Sequence, residues 1–451
     1  MLRAVLARWR SDRLAALLLR IGCRTRSATA VALAWTLASR PIAVGPPVGR
    51  ARRSTPGDLL VLDKAGGTED VLAAADGRLA PGQRVLALSR LDVRVVFKAI
   101  TGPGVFTRLT DSDYRPGDPA LEAGKRRYRA FLVAVLRRYR VLTGVSAITT
   151  ANVRFRSERE LAAACREVGI AFVALHKESI STRAQRTWIT RGLAELAGPF
   201  GGHAIAVYNA EERDGIVAAG FAPEGDVRVV GCPRMDVLHR TRERPVGGAA
   251  PDAPAVLFAV DVRAGTWTPF DRILETGAPR WERLASEVEA AFIAAAREDR
   301  ARRYIIKAKI GREDQQVARL PEDLPDNVDV VTGGLATDLI GRAAVVVGFN
   351  STVLLEALAA GVPVVVPRFA EAADTAASDW ILALGGAVRW VDAPEDLARA
   401  LREVVAAGRS RDLTPDAASA LERYVGNADG LAGARAWEHL SAVMASVRRG
   451  R

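Results

Sequence analysis

This sequence predicts an α/β fold built from two parallel-sheet domains, on three observations. Strand-like and helix-like runs alternate through both halves of the chain, a Pro/Gly-rich stretch near residue 245 separates the halves, and 451 residues exceed one ordinary hydrophobic core. Open sheets of this kind bind ligands beyond the carboxyl ends of their strands, so two Rossmann-like domains facing a cleft are expected.

An apolar content of 49% with 26% charged residues describes a globular chain and excludes a disordered one. The net charge of +12 is unevenly placed. Residues 1–57 hold eleven Arg, no Lys and one acid (Asp12), and so account for +10 of it. The surplus is a basic head and not a groove through the fold, which argues against nucleic acid as a partner. Cys23, Cys165 and Cys232 stand far apart and the four histidines are scattered, so neither a disulfide framework nor a metal site is expected, and a reducing cytoplasm fits. No apolar run approaches the roughly 20 residues that span a bilayer; Ala28–Ala38 is apolar for about 11.

Within the head, Leu2, Val5, Leu6, Trp9, Leu14, Leu17, Leu18 and Ile21 approximate one helical stripe, with arginines over much of the rest. Such a helix can lie on anionic lipid, giving peripheral contact with the inner face of the cytoplasmic membrane, or pack on the first domain with its arginines in water. Arginines interrupt the run and no clean cleavage site follows, so no signal peptide is expected. Arg40–Pro56 is rich in Pro, Gly and Arg and reads as a linker.

The first domain is expected over residues 58–245. Asp58–Asp63 reads as a core strand, and the Gly66-Gly67 turn after it matches neither GxGxxG nor a P-loop. Val85–Leu88 and Val93–Phe97 read as strands and Ala120–Tyr139 as a helix. Asp111 and Asp113 form a literal DxD pair before the Tyr-Arg-Pro-Gly turn; two acids at this spacing are common by chance, and a metal role or a polar role on the acceptor side are the functional alternatives. Strand, helix and strand recur at Val141–Thr149, Glu158–Val168 and Ile170–Leu175, and the last strand ends in His176-Lys177-Glu178. His176 and Glu178 are the candidate catalytic base pair, since a carboxylate fixes an imidazole tautomer and raises its basicity. Strands at Ala204–Tyr208 and Asp226–Val230 lead to Gly231-Cys232-Pro233-Arg234-Met235-Asp236. Arg234 can fork onto a phosphate there, or pair with Asp236 in a structural turn.

Arg240–Pro254 marks the boundary, and the second domain is expected over residues 250–415. It opens with a strand at Ala255–Val260 and a segment, Asp261–Pro269, whose Gly265 and Trp267 suit a cover over the cleft. A helix at Trp281–Asp299 and a strand at Tyr304–Lys307 follow, the latter leading to Lys309; Lys307 and Lys309 are placed to attract phosphate. A strand at Val328–Val331 and a helix at Asp338–Arg342 precede the most organised stretch, Ala343–Phe369. There Val345–Val347 is a buried strand, Gly348-Phe349-Asn350-Ser351-Thr352 is a turn with Asn350 or Ser351 as N-cap, and Gly361 ends the helix before the strand Val364–Val366. A helix start of this kind offers free N–H groups and a positive dipole end to an anion. Asp374–Leu384 reads as helical, Ala387–Val391 as a strand and Pro394–Ala407 as a helix. Residues 416–451 form a tail whose last helix runs to Val447.

The run from Gly348 through Asn350, Ser351, Thr352 and Glu356 to Gly361 and Pro367 resembles the donor-nucleotide segment of GT-B glycosyltransferases. The likeness is to bacterial surface and capsular polysaccharide biosynthesis proteins, with CDP-glycerol glycerophosphotransferases and hydrolysing UDP-N-acetylglucosamine 2-epimerases as neighbours. The Gly231–Asp236 motif is similar to the interdomain segment of the same relatives. The resemblance implies a GT-B-like α/β fold with a C-terminal helix returning to the N-terminal domain. It implies that Ser351 and Thr352 touch a donor pyrophosphate and that Glu356 approaches the ribose. The activity implied is metal-independent transfer of a sugar from a nucleotide-activated donor to a glycan or lipid-linked glycan, with no cofactor. A CDP-polyol phosphotransferase and a non-catalytic GT-B-like partner in a membrane assembly are the alternatives. Many relatives end the 304–307 strand in Lys-Pro-His-Pro; here it continues Lys307-Ala308-Lys309-Ile310, and that His has no counterpart.

Overall fold

The structure, a computed structural model, describes residues 2–46, 57–115, 117–243, 253–265, 270, 274 and 276–450. The side chains of Leu2, Val5, Leu6 and Trp9, most of the expected linker, the boundary residues 244–252 and Trp267 lie outside the described residues. The chain divides into two compact units. One comprises Met1–Ser179, Thr190–Arg234 and Leu431–Arg451; the other comprises Ile180–Ile189 and Met235–Gly430.

The first unit begins with helices α1 (Leu2–Thr25) and α2 (Ala28–Ala38), which pack on each other. It continues with β1 (Arg40–Val44), β2 (Asp58–Asp63), α3 (Gly67–Ala75), β3 (Arg84–Ser89), α4 (Arg90–Thr101), α5 (Pro103–Arg108), α6 (Pro119–Thr143), β4 (Val145–Thr150), α7 (Arg156–Val168) and β5 (Ala171–His176). Helix α8 (Arg183–Gly192), which belongs to the second unit as far as Ile189, precedes β6 (Ala204–Val207), α9 (Ala210–Ala218) and β7 (Val227–Val229) of the first. The sheet order is β1-β3-β2-β4-β5-β6-β7, parallel except for β1. Successive residues of β2 point to opposite faces, as strand geometry requires. Leu60 and Leu62 join a core with Phe97, Tyr128 and Leu161, while Leu59 and Val61 join one with Val71, Ala436 and Met444. The second face is covered by α3 and by the last helix of the chain, which thus returns to the first unit.

The second unit holds α10 (Asp236–Glu243), β8 (Ala255–Phe258), α11 (Glu282–Glu298), β9 (Tyr304–Lys307), α12 (Glu313–Val317), β10 (Val328–Val331), α13 (Ala336–Arg342), β11 (Val345–Val347), α14 (Thr352–Ala359), β12 (Val364–Pro367), β13 (Arg389–Val391), α15 (Leu397–Ala407) and α16 (Pro415–Val425); α17 (Ala432–Arg449) is the returning helix. Its six strands are parallel in the order β10-β9-β8-β11-β12-β13. This is a doubly wound Rossmann order, and the winding reverses between β8 and β11. The runs Ala255–Phe258, Val345–Val347 and Val364–Pro367 are buried throughout, because helices cover both faces of a parallel sheet.

Several elements differ from the sequence expectations. Arg40–Val44 is not linker but an antiparallel edge strand on β3, a position where Pro41 is tolerated. Val93–Phe97 lies in helix α4: Val93, Val96, Phe97 and Ile100 are buried at helical spacing, which a five-residue window does not reveal. Asp374–Leu384 contains a short 3-10 turn, Thr375–Trp380, and no α-helix. In the tail, α16 belongs to the second unit and only α17 to the first.

Candidate functional site

A pocket of about 740 Å³ opens at the reversal point of the second sheet. Its floor comes from the ends of β8 (Phe258, Ala259) and β9 (Lys307, Ala308), and its wall from Phe349 to Val353 at the start of α14. Ligands of open parallel sheets bind at such a place, because helix N-termini and strand carboxyl ends converge there. The turn is shaped by Asn350, whose φ of 45° is one of the few left-handed values that asparagine tolerates. Its amide nitrogen donates to the carbonyls of Ala264 at 3.1 Å and Trp380 at 2.7 Å, and its oxygen accepts from the Leu382 N–H at 2.9 Å. The Ala264 carbonyl also accepts from the indole of buried Trp281 at 2.8 Å. Gly265 is needed beside this knot: its φ is +65°, and a Cβ there would stand 2.7 Å from Asn350 Nδ2.

Ser351 is the N-cap of α14, but its hydroxyl makes no capping bond. Among the described residues neither the Ser351 nor the Thr352 hydroxyl has a hydrogen-bond partner, and both residues line the pocket. Lys307 is buried, and burial lowers its ammonium below the ordinary lysine value, partly offset by Glu313. Its Nζ donates to the Ala308 carbonyl at 2.9 Å, and among the described residues it meets no carboxylate within ion-pairing distance. Lys309 Nζ lies 3.1 Å from Asp261 and Arg312 Nε 3.9 Å from the same carboxylate. Partial burial pushes the Asp261 carboxyl up, but the Arg263 N–H and the Lys309 ammonium outweigh it and hold it below the usual range. Among the described residues, four cations (Arg263, Lys307, Lys309 and Arg312) thus line the pocket against one carboxylate. Gln316 fixes the Lys309 loop by accepting from the Lys309 N–H at 2.6 Å and donating to the Ala259 carbonyl at 3.3 Å.

Of the donor-site candidates, Asn350, Ser351, Thr352, Lys307 and Lys309 therefore come together. Asn350 does so as a builder of the site, since its amide is committed to backbone groups. Gly348 lies outside the lining; it lets the strand end approach Leu354, whose Cδ2 would stand 3.1 Å from a Cβ there. Glu356 is buried in α14 and does not line the pocket. Arg234 belongs to the first unit, where its Nη1 lies 3.0 Å from fully buried Asp70 and also meets the Tyr208 hydroxyl. The motif that contains it is split. Arg234 anchors to Asp70, whereas Asp236 accepts from the side-chain amide of Asn427 at 2.9 Å within the second unit.

The expected base pair is rearranged. His176 is buried at the end of β5 with Nε2 3.4 Å from Glu212, while its Nδ1 is buried and among the described residues has no hydrogen-bond partner. Glu178 turns instead to Lys177 at 3.3 Å, and its side chain is about half exposed. Surrounding protein pushes the Glu178 carboxyl up, but Lys177, His176 and Arg154 hold it below the usual range. The DxD carboxylates are engaged as well: Asp111 accepts from the Arg156 N–H at 2.8 Å, and Asp113 takes a two-pronged grip from Arg115 at 3.0 Å. Asp261, Arg263 and Glu212 were missed by sequence reasoning. The first two follow a strand end, and their position just past a β-run was the available signal; nothing local distinguishes Glu212.

Two Rossmann-like units, with the last helix on the first, define a GT-B-like fold. No family model matches the chain, and no curated protein matches it. Among solved structures it is similar to a putative UDP-N-acetylglucosamine 2-epimerase from Listeria monocytogenes, at 12% identity over 86% of this chain and 96% of that one, with a TM-score of 0.50. It is also similar to a UDP-GlcNAc 2-epimerase from Methanocaldococcus jannaschii (11% identity, 85% and 99% covered, TM-score 0.48). A third is a trehalose 6-phosphate synthase from Burkholderia multivorans (14%, 88% and 98%, TM-score 0.44). At these identities the likeness is one of fold, and the Listeria structure carries it.

Proposed function

We propose that this chain is a GT-B-type glycosyltransferase that takes its donor, a nucleotide-activated sugar, in the pocket of the second unit. The observation that carries the reading is the buried Lys307 ammonium, which among the described residues has no carboxylate partner, at a pocket by the start of α14. A nucleoside diphosphate supplies the missing anion. The Thr352 end of α14, the two open hydroxyls of Ser351 and Thr352, and the cations at 307, 309 and 312 would hold its charge as the sugar–phosphate bond breaks. These groups stabilise the leaving diphosphate, so no metal or cofactor is required. The acceptor hydroxyl attacks the anomeric carbon and gives its proton to a base. Of the two base candidates, both in the first unit, only Glu178 is accessible, while His176 is sealed from solvent. The Gly348–Pro367 resemblance supports a surface or capsular glycan, or its lipid-linked precursor, as acceptor. The likeness in fold to a UDP-sugar epimerase is in keeping with a nucleotide-sugar ligand.

Thermal-shift measurements with UDP, GDP, CDP and ADP, each with and without EDTA, test this reading. UDP or GDP is expected to raise Tm, with EDTA making no difference. A shift with CDP alone would transfer the chain to the polyol-phosphate reaction. No shift with any nucleotide, on protein that melts cooperatively, would sink the donor site and leave the non-catalytic reading.

A further inference from the structure

Among the described residues of helix α1, part of the apolar stripe stays exposed. Ala15, Leu19 and Gly22 face inward, while Leu14, Leu17 and Ile21 are 47%, 53% and 44% exposed. At 100° per residue these three leucine-type side chains fall within one narrow sector, and Arg13, Arg20 and Arg24 fall in the sector beside it. Arg20 and Arg24 are exposed, and among the described residues neither pairs with a carboxylate. The acid of this helix, Asp12, is 3.5 Å from Arg40. Helix α4 packs against α1 and repeats the pattern: Leu91 and Val95 are exposed, with Arg94 and Lys98 exposed beside them. Asp92 on the same helix is half-buried. Among the described residues no helix is long and apolar enough to cross a membrane.

We propose that the outer face of α1 in the first unit is a docking surface for an anionic lipid bilayer, which it meets lying flat. Charge decides the occupant. A row of aliphatic side chains is suited to the acyl boundary, and a parallel row of arginines to the phosphates just above it. A second copy of this chain would bring two arginine rows together and is disfavoured. Nucleic acid would satisfy the arginines and leave the aliphatic row in water. The head holds most of the net charge of the whole chain, so attraction to a negative surface acts at this end of the molecule.

Co-sedimentation of the full chain with vesicles tests this, using phosphatidylcholine alone and phosphatidylcholine mixed with phosphatidylglycerol. Binding is expected on the mixed vesicles and not on the neutral ones, and it should weaken with salt. The R20Q/R24Q variant should bind the mixed vesicles on the order of thirtyfold more weakly. The L14Q/L17Q/I21Q variant should not bind even at low salt, with circular dichroism confirming that it folds. Wild-type-like binding by either folded variant overturns the proposal. So does a folded wild-type chain that ignores the mixed vesicles at low salt, which would assign the face to an acidic protein.

Discussion

The ammonium of Lys307 rests 2.9 Å from the carbonyl oxygen of Ala308, an uncharged acceptor supplied by its own neighbour in the chain. A buried cation that among the described residues is held only in this way is costly in the free protein and is relieved when an anion arrives. The K307M variant is therefore expected to melt at the same temperature as the wild type or higher. Its affinity for a nucleoside diphosphate should fall by about 1.5–3 kcal/mol, the range for hydrogen bonds to charged groups. Calorimetric titration alongside a melt separates the two effects. A lower Tm with unchanged affinity would make Lys307 a structural residue.

Arg234 should behave in the opposite way. Its guanidinium sits against Asp70, which is fully buried; that burial pushes the Asp70 carboxyl up, while Arg234 and the Tyr208 hydroxyl oppose it. Removing the arginine leaves a buried carboxylate without its partner, a loss of about 3–5 kcal/mol. The R234A variant should unfold at markedly lower urea, while its remaining folded fraction binds nucleotide with wild-type affinity. A large loss of affinity with stability intact would restore the phosphate-binding role that the sequence suggested.

Glu158 makes stability depend on pH. It is buried in α7, its Oε1 3.2 Å from Arg90 Nε and its other oxygen on the Thr150 hydroxyl. Burial pushes its carboxyl from 4.5 up to about 7, against the pull of Arg90. The folded state then holds a proton that the unfolded state releases. The contribution is present below about 4.5 and is lost as pH rises towards about 7. Relative to E158Q, the wild type should lose up to about 3 kcal/mol across that window. Urea melts of both proteins at pH values spanning it should diverge; parallel curves would mean that Glu158 ionises normally.

Much of the fold was legible because parallel strands announce themselves. Val345–Val347, Tyr304–Lys307 and Ala255–Phe258 are short apolar runs between turn residues, and the structure makes strands of all three. Arg40–Val44 was not legible, since an exposed edge strand carries no burial pattern and its partner β3 lies about 45 residues away. The candidate site divides in the same manner. Ser351, Thr352, Lys307 and Lys309 could be read from chain position, because each closes or follows a strand. The partners that decide their chemistry could not.

By itself, then, the sequence determined the alternation of strand and helix, the polar start of α14 and the basic head, all of which depend on residues close together in the chain. Tertiary structure alone decided that Arg234 meets Asp70, that His176 meets Glu212 and that Asn350 ties Ala264 to Leu382. Each of these pairings joins residues tens to more than a hundred positions apart. Burial removes the water that would otherwise serve any partner, and it thereby makes the particular neighbour decisive.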